Sequence, residues 1–135
     1  MRICLGIDPG THRLGWGVVE KHGNQYLALA HGCLDLPPHT TSDHYLPLLH
    51  AELTSLINKH RPDLLGLETL LFQKNVKTAI SVAESRGVIL LAAAQASLRV
   101  HELAPNSIKL AVTGYGASDK VAVARMVGLL LRINT

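Results

Sequence analysis

Two acidic residues lie at the ends of short apolar runs that have the composition of buried strands. Asp8 directly follows the run Ile3–Ile7, and Glu68 closes the run Leu64–Glu68. When two such strands are parallel neighbours, their carboxyl ends meet at one edge of the sheet, where ligands usually bind. Mg²⁺ takes oxygen ligands and is often held by one or two carboxylates together with water and substrate phosphate. We therefore expect Asp8 and Glu68 to converge and to be suited to a metal ion.

The residue pattern alone leaves a second interpretation open. Asp8-Pro9-Gly10 also has the composition of an ordinary turn. Glu68 can equally end its strand as a solvated side chain. The spacing is as compatible with this structural interpretation as with a metal site.

The elements that position these acids begin with three strands. Leu14–Val19 and Tyr26–Ala30 flank the polar turn His22-Gly23-Asn24, which predicts a hairpin that continues antiparallel from the first strand. Apolar residues then recur at a helical period over Leu46–Ile57, and Ser42 is placed to cap that helix.

The second half of the sequence alternates helices and strands after Glu68. The pattern predicts a long helix over Lys74–Leu98, a strand over Arg99–Leu103, a short helix over Ser107–Val112 and a last helix that opens at Ser118. A helix that connects two strands normally makes them parallel neighbours. The sequence therefore predicts an α/β fold whose mixed five-stranded sheet has three antiparallel strands, then parallel strands, with helices on its faces.

The composition is typical of one globular unit. The chain has 135 residues, of which 47% are hydrophobic and 17% charged, so we expect a single domain over residues 1–135. A net charge of +3 is compatible with a polyanionic partner but does not establish DNA binding. No apolar stretch reaches the length of a membrane span and no secretory signal is visible, so the cytoplasm is the expected compartment. Cys4 and Cys33 are expected to be reduced, buried and without a chemical role.

Several spaced motifs resemble the RuvC family of Holliday-junction resolvases. They occur in the family order over essentially all of the chain: Gly6-Ile7-Asp8-Pro9-Gly10-Thr11 with Gly15-Trp16-Gly17-Val18, Leu67-Glu68 followed by Lys74-Asn75, Ser85-Arg86-Gly87-Val88, and Ile108-Lys109 with Gly114, Gly116 and Lys120. The resemblance implies a ribonuclease H-like fold. It also implies a structure-specific endonuclease that resolves Holliday junctions by metal-dependent symmetric nicking during DNA recombination and repair.

The resemblance makes Asp8 and Glu68 two of the family's four catalytic metal ligands. It implies two Mg²⁺ ions in a complete active site, with Mn²⁺ as a substitute. Two such ions lie roughly 3.5–4 Å apart and clamp the scissile phosphate for in-line attack by water.

The resemblance also implies a set of DNA contacts. Lys109 and Lys120 occupy positions where the family has basic residues near DNA. Lys74, Lys77 and Arg86 could add phosphate contacts that position the DNA without reading its sequence. For each lysine a solvated surface charge is the alternative. The family usually has an aromatic wedge for the junction centre shortly after the catalytic Glu. Here Leu71 or Phe72 occupies that place, and either could instead be a core or dimer contact.

The family pattern continues past the helix that corresponds to Ser118–Leu131, into a segment with its other two metal ligands. Thr135 precedes that segment, so the sequence has the form of a nuclease domain truncated before the family's C-terminal catalytic segment. Without those ligands we expect metal affinity and water activation to fall. Asp119 is not expected to replace them, because a carboxylate at a helix start ordinarily stabilises the helix. None of the eight histidines has metal-ligand spacing.

Three hypotheses about function follow. The first is a homodimeric resolvase, because two symmetric nicks require two sites related by a two-fold axis. Lys74–Leu98 is then a candidate interface, and the resemblance implies a branch-migration helicase complex as a partner. The second is a noncatalytic junction-binding fragment of the same fold. The third is an actin-like ATP-binding domain, because the Asp8-Pro9-Gly10-Thr11 turn also resembles a phosphate-binding hairpin, although those folds need two such domains.

Overall fold

The computed structural model describes residues 2–10, 12–69 and 76–133. The strands and helices, in chain order, are β1 (Arg2–Pro9), β2 (Arg13–His22), β3 (Gln25–Asp35), α1 (Ser42–His60), β4 (Leu64–Glu68), α2 (Val76–Gln95), β5 (Arg99–Leu103), α3 (Pro105–Thr113) and α4 (Lys120–Leu131).

The five strands form one mixed sheet in the order β3-β2-β1-β4-β5. β1 pairs antiparallel with β2, and β2 pairs antiparallel with β3. β4 is parallel both to β1 and to β5. In the chain, α1 lies between β3 and β4, and α2 lies between β4 and β5, as parallel crossovers require. The mixed sheet predicted from the sequence is confirmed.

One face of the sheet carries the hydrophobic core. Strand side chains alternate between faces, so Leu5 and Ile7 of β1 and Leu65 and Leu67 of β4 point to the same side. These four leucine and isoleucine side chains are at most 3% exposed. α1 and α2 cover them with a second set of buried residues: Leu49, Leu53, Leu56, Ile57, Ile89, Ala92 and Ala93. Residues 2, 4, 6 and 8 of β1 therefore belong to the opposite face.

The first strand is longer than the sequence pattern indicates. Asp8 lies at the end of β1, as expected, and pairs with Gly15 of β2. Pro9 was expected in the turn but is the last residue of the strand and pairs with Leu14. Proline is tolerated there because its missing backbone N–H removes no essential hydrogen bond at the end of a strand. The turn begins at Gly10, whose N–H donates to the carbonyl of Arg13 at 2.7 Å. A Cβ at Gly10 would lie 2.7 Å from the same oxygen, so a larger residue would not fit.

Two predicted helix caps were wrong. Ser42 is the first residue of α1 rather than its cap, which is Thr41, and the Ser42 hydroxyl donates to Glu84 of α2 at 3.2 Å. α4 begins after Asp119, not Ser118. The Asp119 carboxylate accepts the backbone N–H of Ala122 at 2.8 Å. Asp119 therefore has the structural role that was expected of it.

The other predicted helices differ from the observed ones at their ends. α3 begins at Pro105, two residues earlier than expected, because proline is favoured in the first turn of a helix. α2 ends at Gln95, and Ser97 has a positive φ of 55° in the connection to β5. The expected start of α2 at Lys74 lies outside the described residues. No helix in the described ranges is long and apolar enough to cross a membrane.

Gly32 of β3 leaves room for the Trp16 ring of β2. A Cβ at Gly32 would lie 2.7 Å from Cζ2 of Trp16, which packs against the core. We expect Gly32→Ala to lower the free energy of unfolding by about 1–3 kcal/mol, because the ring has to move from a packed position. Urea denaturation measures this loss.

Gly17→Ala is the matched control, since nothing lies within 4 Å of a Cβ at Gly17. Its effect on stability should be small or favourable, because alanine restricts the unfolded chain more than glycine does. Equal losses in the two variants would contradict the packing role of Gly32.

Candidate active site

Asp8 and Glu68 lie next to each other at the carboxyl ends of β1 and β4. The parallel register pairs Ile7 with Leu67, which aligns the two acids one residue further along. Both side chains project to the face opposite the core. Their carboxyl groups are close enough for charge repulsion and a hydrogen bond between them to act on Glu68. The convergence expected from the sequence is therefore present.

The acid pair adjoins a groove with a volume of about 520 Å³. Its floor includes Gly6, Gly17 and Gly66, which lie side by side in the register of β2, β1 and β4. Because glycine has no side chain, the sheet backbone is open beside the acids. Leu103 of β5 and Ile108 of α3 contribute to the walls. In the sequence most of these glycines stand out only as residues of the spaced motifs. The signal that could have identified the groove floor is that these glycines lie on the same face of neighbouring strands.

The environment of Glu68 raises the pKa of its carboxyl group from an ordinary value near 4.5 to about 6. Partial burial is the largest cause, since it disfavours the charged form. The negative charge of Asp8 and a hydrogen bond with it raise the pKa further. Lys109 acts in the opposite direction through its positive charge. Two ionised carboxylates thus repel each other here, and a cation would relieve that repulsion.

The basic residues proposed for DNA binding lie in different surroundings. Lys109 of α3 is half-buried and close enough to Glu68 to influence its charge. Lys120 is the exposed first residue of α4, and it makes no hydrogen bond or ion pair with either acid in the described structure. Arg86 of α2 forms an ion pair with Glu102 of β5, so its guanidinium already has a partner.

The remaining proposed contacts lie at or before the start of α2. Lys77 is exposed in the first turn of that helix. Lys74, Leu71 and Phe72 lie outside the described residues, so the predictions about a phosphate contact and a junction wedge stay predictions.

A third ligand does not join the acid pair within the described ranges. No group of three or more His, Cys, Asp and Glu side chains that could hold a metal converges there. Cys33 was expected to be buried but is exposed, and its thiol accepts a hydrogen bond from Nε of Arg13 at 2.8 Å. Cys33 lies at the edge strand β3, which leaves its side chain accessible.

Sequence comparison identifies relatives over almost the whole chain. A family model described as Crossover junction endodeoxyribonuclease RuvC matches residues 4–135. A protein of that name from Halothermothrix orenii is 44% identical over 132 residues, which are 98% of this chain and 80% of the relative. Another from Heliobacterium modesticaldum is 45% identical over 131 residues, which are 97% of this chain and 81% of the relative.

Solved structures give the same result. RuvC of Thermus thermophilus in complex with a Holliday junction substrate has a TM-score of 0.93 and 28% identity, and the match covers 100% of this chain and 82% of that one. The yeast mitochondrial Holliday junction resolvase shares the fold, with a TM-score of 0.70 and 13% identity over 96% of this chain and 62% of that one. The mixed sheet is thus the ribonuclease H-like sheet expected from the resemblance. The chain belongs to the RuvC family of crossover junction endodeoxyribonucleases.

Proposed function

We propose that this protein is a structure-specific endonuclease that resolves Holliday junctions by symmetric nicking during DNA recombination and repair. The observation that carries the proposal is the contact between the carboxyl groups of Asp8 and Glu68 beside an open groove. The relatives named crossover junction endodeoxyribonuclease, and the similar Thermus thermophilus structure with a Holliday junction substrate, support the reaction and the DNA.

Asp8 and Glu68 are the residues that would hold the metal. Their oxygens are the ligands that Mg²⁺ prefers, and Mn²⁺ can use the same ligands. The raised pKa of Glu68 fits this assignment, because it shows two acids held close together. Among the described residues, the cation that offsets their charge is Lys109, and its effect on Glu68 is small. Two bound ions in a complete site would supply a nucleophilic water and stabilise the leaving oxygen.

The basic side chains would position the DNA rather than take part in the reaction. Lys109 is suited to hold a phosphate near the acid pair, because its charge already acts on Glu68. Lys120 and Lys77 are exposed cations that would add phosphate contacts. Arg86 would contribute only if its guanidinium contacted DNA while paired with Glu102. Lys74 and a wedge at Leu71 or Phe72 belong to the same proposal.

A homodimer with its interface on α2 would place two active sites on one junction. An exposed apolar stripe runs along this helix: Val76, Ile80, Ala83, Gly87, Leu91 and Ala94. The side chains of Val76, Ile80 and Leu91 are 76%, 55% and 51% exposed, which is unfavourable for a surface that stays in water. We also propose that this single ribonuclease H-like domain acts in the cytoplasm beside a branch-migration helicase complex, as the family resemblance implies.

Asp8→Asn should reduce nicking of a labelled four-way junction in Mg²⁺ by roughly 100-fold or more, because a metal ligand contributes several kcal/mol to stabilising the transition state. Glu52→Gln removes a carboxylate on α1 that has no hydrogen bond or ion pair in the described structure, and it should leave nicking unchanged. Nicking of a linear duplex is measured as the control for structure specificity. Junction binding without nicks by the unmodified chain would instead favour the noncatalytic hypothesis, and absence of binding would contradict the resolvase proposal.

Glu68→Gln should stabilise the metal-free protein at pH 7.5 and have little effect near pH 4.5. The raised pKa means that the folded state holds a proton more tightly than the unfolded chain does, so stability falls as pH rises from about 4.5 through about 6. The full shift corresponds to about 2 kcal/mol, which solvent screening at this half-buried group reduces to about 1 kcal/mol or less. Urea denaturation at both pH values tests this, with Glu52→Gln as control. A loss of stability at pH 7.5 would contradict repulsion within the pair.

Leu91→Asp should convert the dimer to monomer, because it places a charge in the proposed α2 interface. Sedimentation at several protein concentrations measures the change. The folded monomer should keep its stability within about 0.5 kcal/mol, since Leu91 is a surface residue in one chain. Leu129→Asp on α4 changes a residue that is 67% exposed and should leave the dimer intact. If the unmodified protein is monomeric even with junction DNA, the dimer proposal is wrong.

A further inference from the structure

The connection between α3 and α4 presents one aromatic side chain to solvent. Tyr115 is 65% exposed, although tyrosine is usually buried to a larger extent. Its side chain makes no hydrogen bond, ion pair or ring contact with any other described residue. Gly114 and Gly116, two of the spaced motif residues that the acid pair does not explain, flank it in the sequence. The ring therefore has no role in the packing of the described structure.

Hydrogen bonds from two neighbouring hydroxyl side chains fix the backbone on both sides of this ring. Oγ1 of Thr113 accepts the backbone N–H of Tyr115 at 3.1 Å, and the Thr113 hydroxyl donates to the carbonyl of Lys109 at 2.8 Å. The hydroxyl and the backbone N–H of Ser118 donate to the Tyr115 carbonyl at 2.6 Å and 3.1 Å. Because this backbone is already ordered, a bound partner has only to restrict the side-chain torsions of the tyrosine.

The turn lies close to the sheet edge that carries the acid pair. Leu103 pairs with Glu68 in the register of β5 and β4, and α3 begins two residues after Leu103. A Cβ at Gly116 would lie 3.5 Å from the carbonyl oxygen of Asn106, so the turn folds back against the start of α3. Lys109, in the middle of the same helix, is close enough to Glu68 to act on its charge. A ligand that contacts the acids is therefore within a short distance of the turn.

The charges on each side of the ring favour a nucleic acid strand as its partner. Lys109 precedes Tyr115 by six residues, and the exposed Lys120 follows it by five. The Asp119 carboxylate accepts a backbone N–H of α4, so it is occupied as a helix cap. The Cα atoms of Lys109 and Tyr115 are at most about 14 Å apart, because one helical turn and two further residues separate them. A DNA strand covers that distance with about four nucleotides.

An aromatic ring between cations is the arrangement that binds an unpaired base between phosphates. Every base has a π-face on which an aromatic side chain can stack, and the cations hold the backbone beside it. Where the four arms of a junction meet, a base lacks the stacking neighbour that a continuous duplex supplies. Exposing such a base costs less than unstacking a base within a duplex. A stacking ring near the acids would therefore favour a junction over a linear duplex.

We propose that the Tyr115 ring stacks on an unstacked base of the junction strand that passes the acid pair, with Thr113 and Ser118 as positioning residues that hold the turn. This inference rests on the proposed resolvase function and extends it, since the metal chemistry requires no aromatic group at this place. The contact is separate from the wedge proposed at Leu71 or Phe72, which follows β4 in the chain.

The test combines Tyr115→Ala with junctions that lack single bases. One abasic nucleotide is moved through the four positions on each side of the exchange point, and the dissociation constant is measured without divalent metal so that no strand is cut. On the intact junction Tyr115→Ala should weaken binding roughly tenfold, because a base loses its stacking partner. On the junction that lacks the stacked base, Tyr115→Ala should have no further effect, because both changes remove the same contact.

Further measurements separate stacking from other roles of the residue. Tyr115→Phe keeps the ring and should bind the intact junction like the unmodified protein. Tyr26→Ala removes an exposed ring from β3 and should leave binding unchanged. The slope of log K against log salt should stay the same in Tyr115→Ala, whereas loss of one phosphate contact would reduce it by about 0.9. Affinity for a linear duplex should change less than twofold.

An equal loss of affinity on every abasic junction would overturn base stacking, as would unchanged binding of the intact junction by Tyr115→Ala. Loss of self-association in sedimentation, with DNA affinity retained, would overturn it in favour of a protein contact. If the unmodified protein binds no four-way junction, the resolvase proposal fails and the stacking contact fails with it. Junction binding that does not depend on Tyr115 would remove the stacking contact alone.

Discussion

The fold holds the carboxyl groups of Asp8 and Glu68 side by side, although two such groups repel each other when both are ionised. Two acids repel each other unless one is protonated or a cation lies between them. Partial burial is the largest cause of the raised pKa of Glu68, near 6, and the charge of Asp8 raises that pKa further. The fold maintains the contact through the parallel register of β1 and β4. That register is held by the core on the other face, because a slip of one residue would turn buried leucines toward solvent and the acids toward the helices.

The two faces of the sheet have separate tasks. One face is packed by α1 and α2 and supplies stability through its leucines and isoleucines. The other face carries the acids at one end and a floor of glycines beside them. Such a surface loses packing where glycine replaces larger residues, and it leaves the sheet backbone open beside the two acids.

The sequence predicted the order of strands and helices and the convergence of Asp8 with Glu68, because buried strands and amphipathic helices have distinct periods. The capping role of Ser42 was wrong, since a hydroxyl near a helix start can equally bond across to Glu84. The exposure of Cys33 was not predictable from its apolar neighbours, because edge position depends on strand order. The ion pair of Arg86 with Glu102 joins residues sixteen apart on different elements, and no local pattern contains it.

The most direct test of the central claim is calorimetric titration of the protein with Mn²⁺ in two buffers of different ionisation enthalpy, at pH 6 and pH 8. If Asp8 and Glu68 share the cation, binding at pH 6 should release a fraction of a proton from Glu68, and that release should disappear at pH 8. Asp8→Asn and Glu68→Gln should each abolish the binding. Undiminished binding in both variants, or proton release that does not depend on pH, would contradict the assignment of these two carboxylates as the metal ligands.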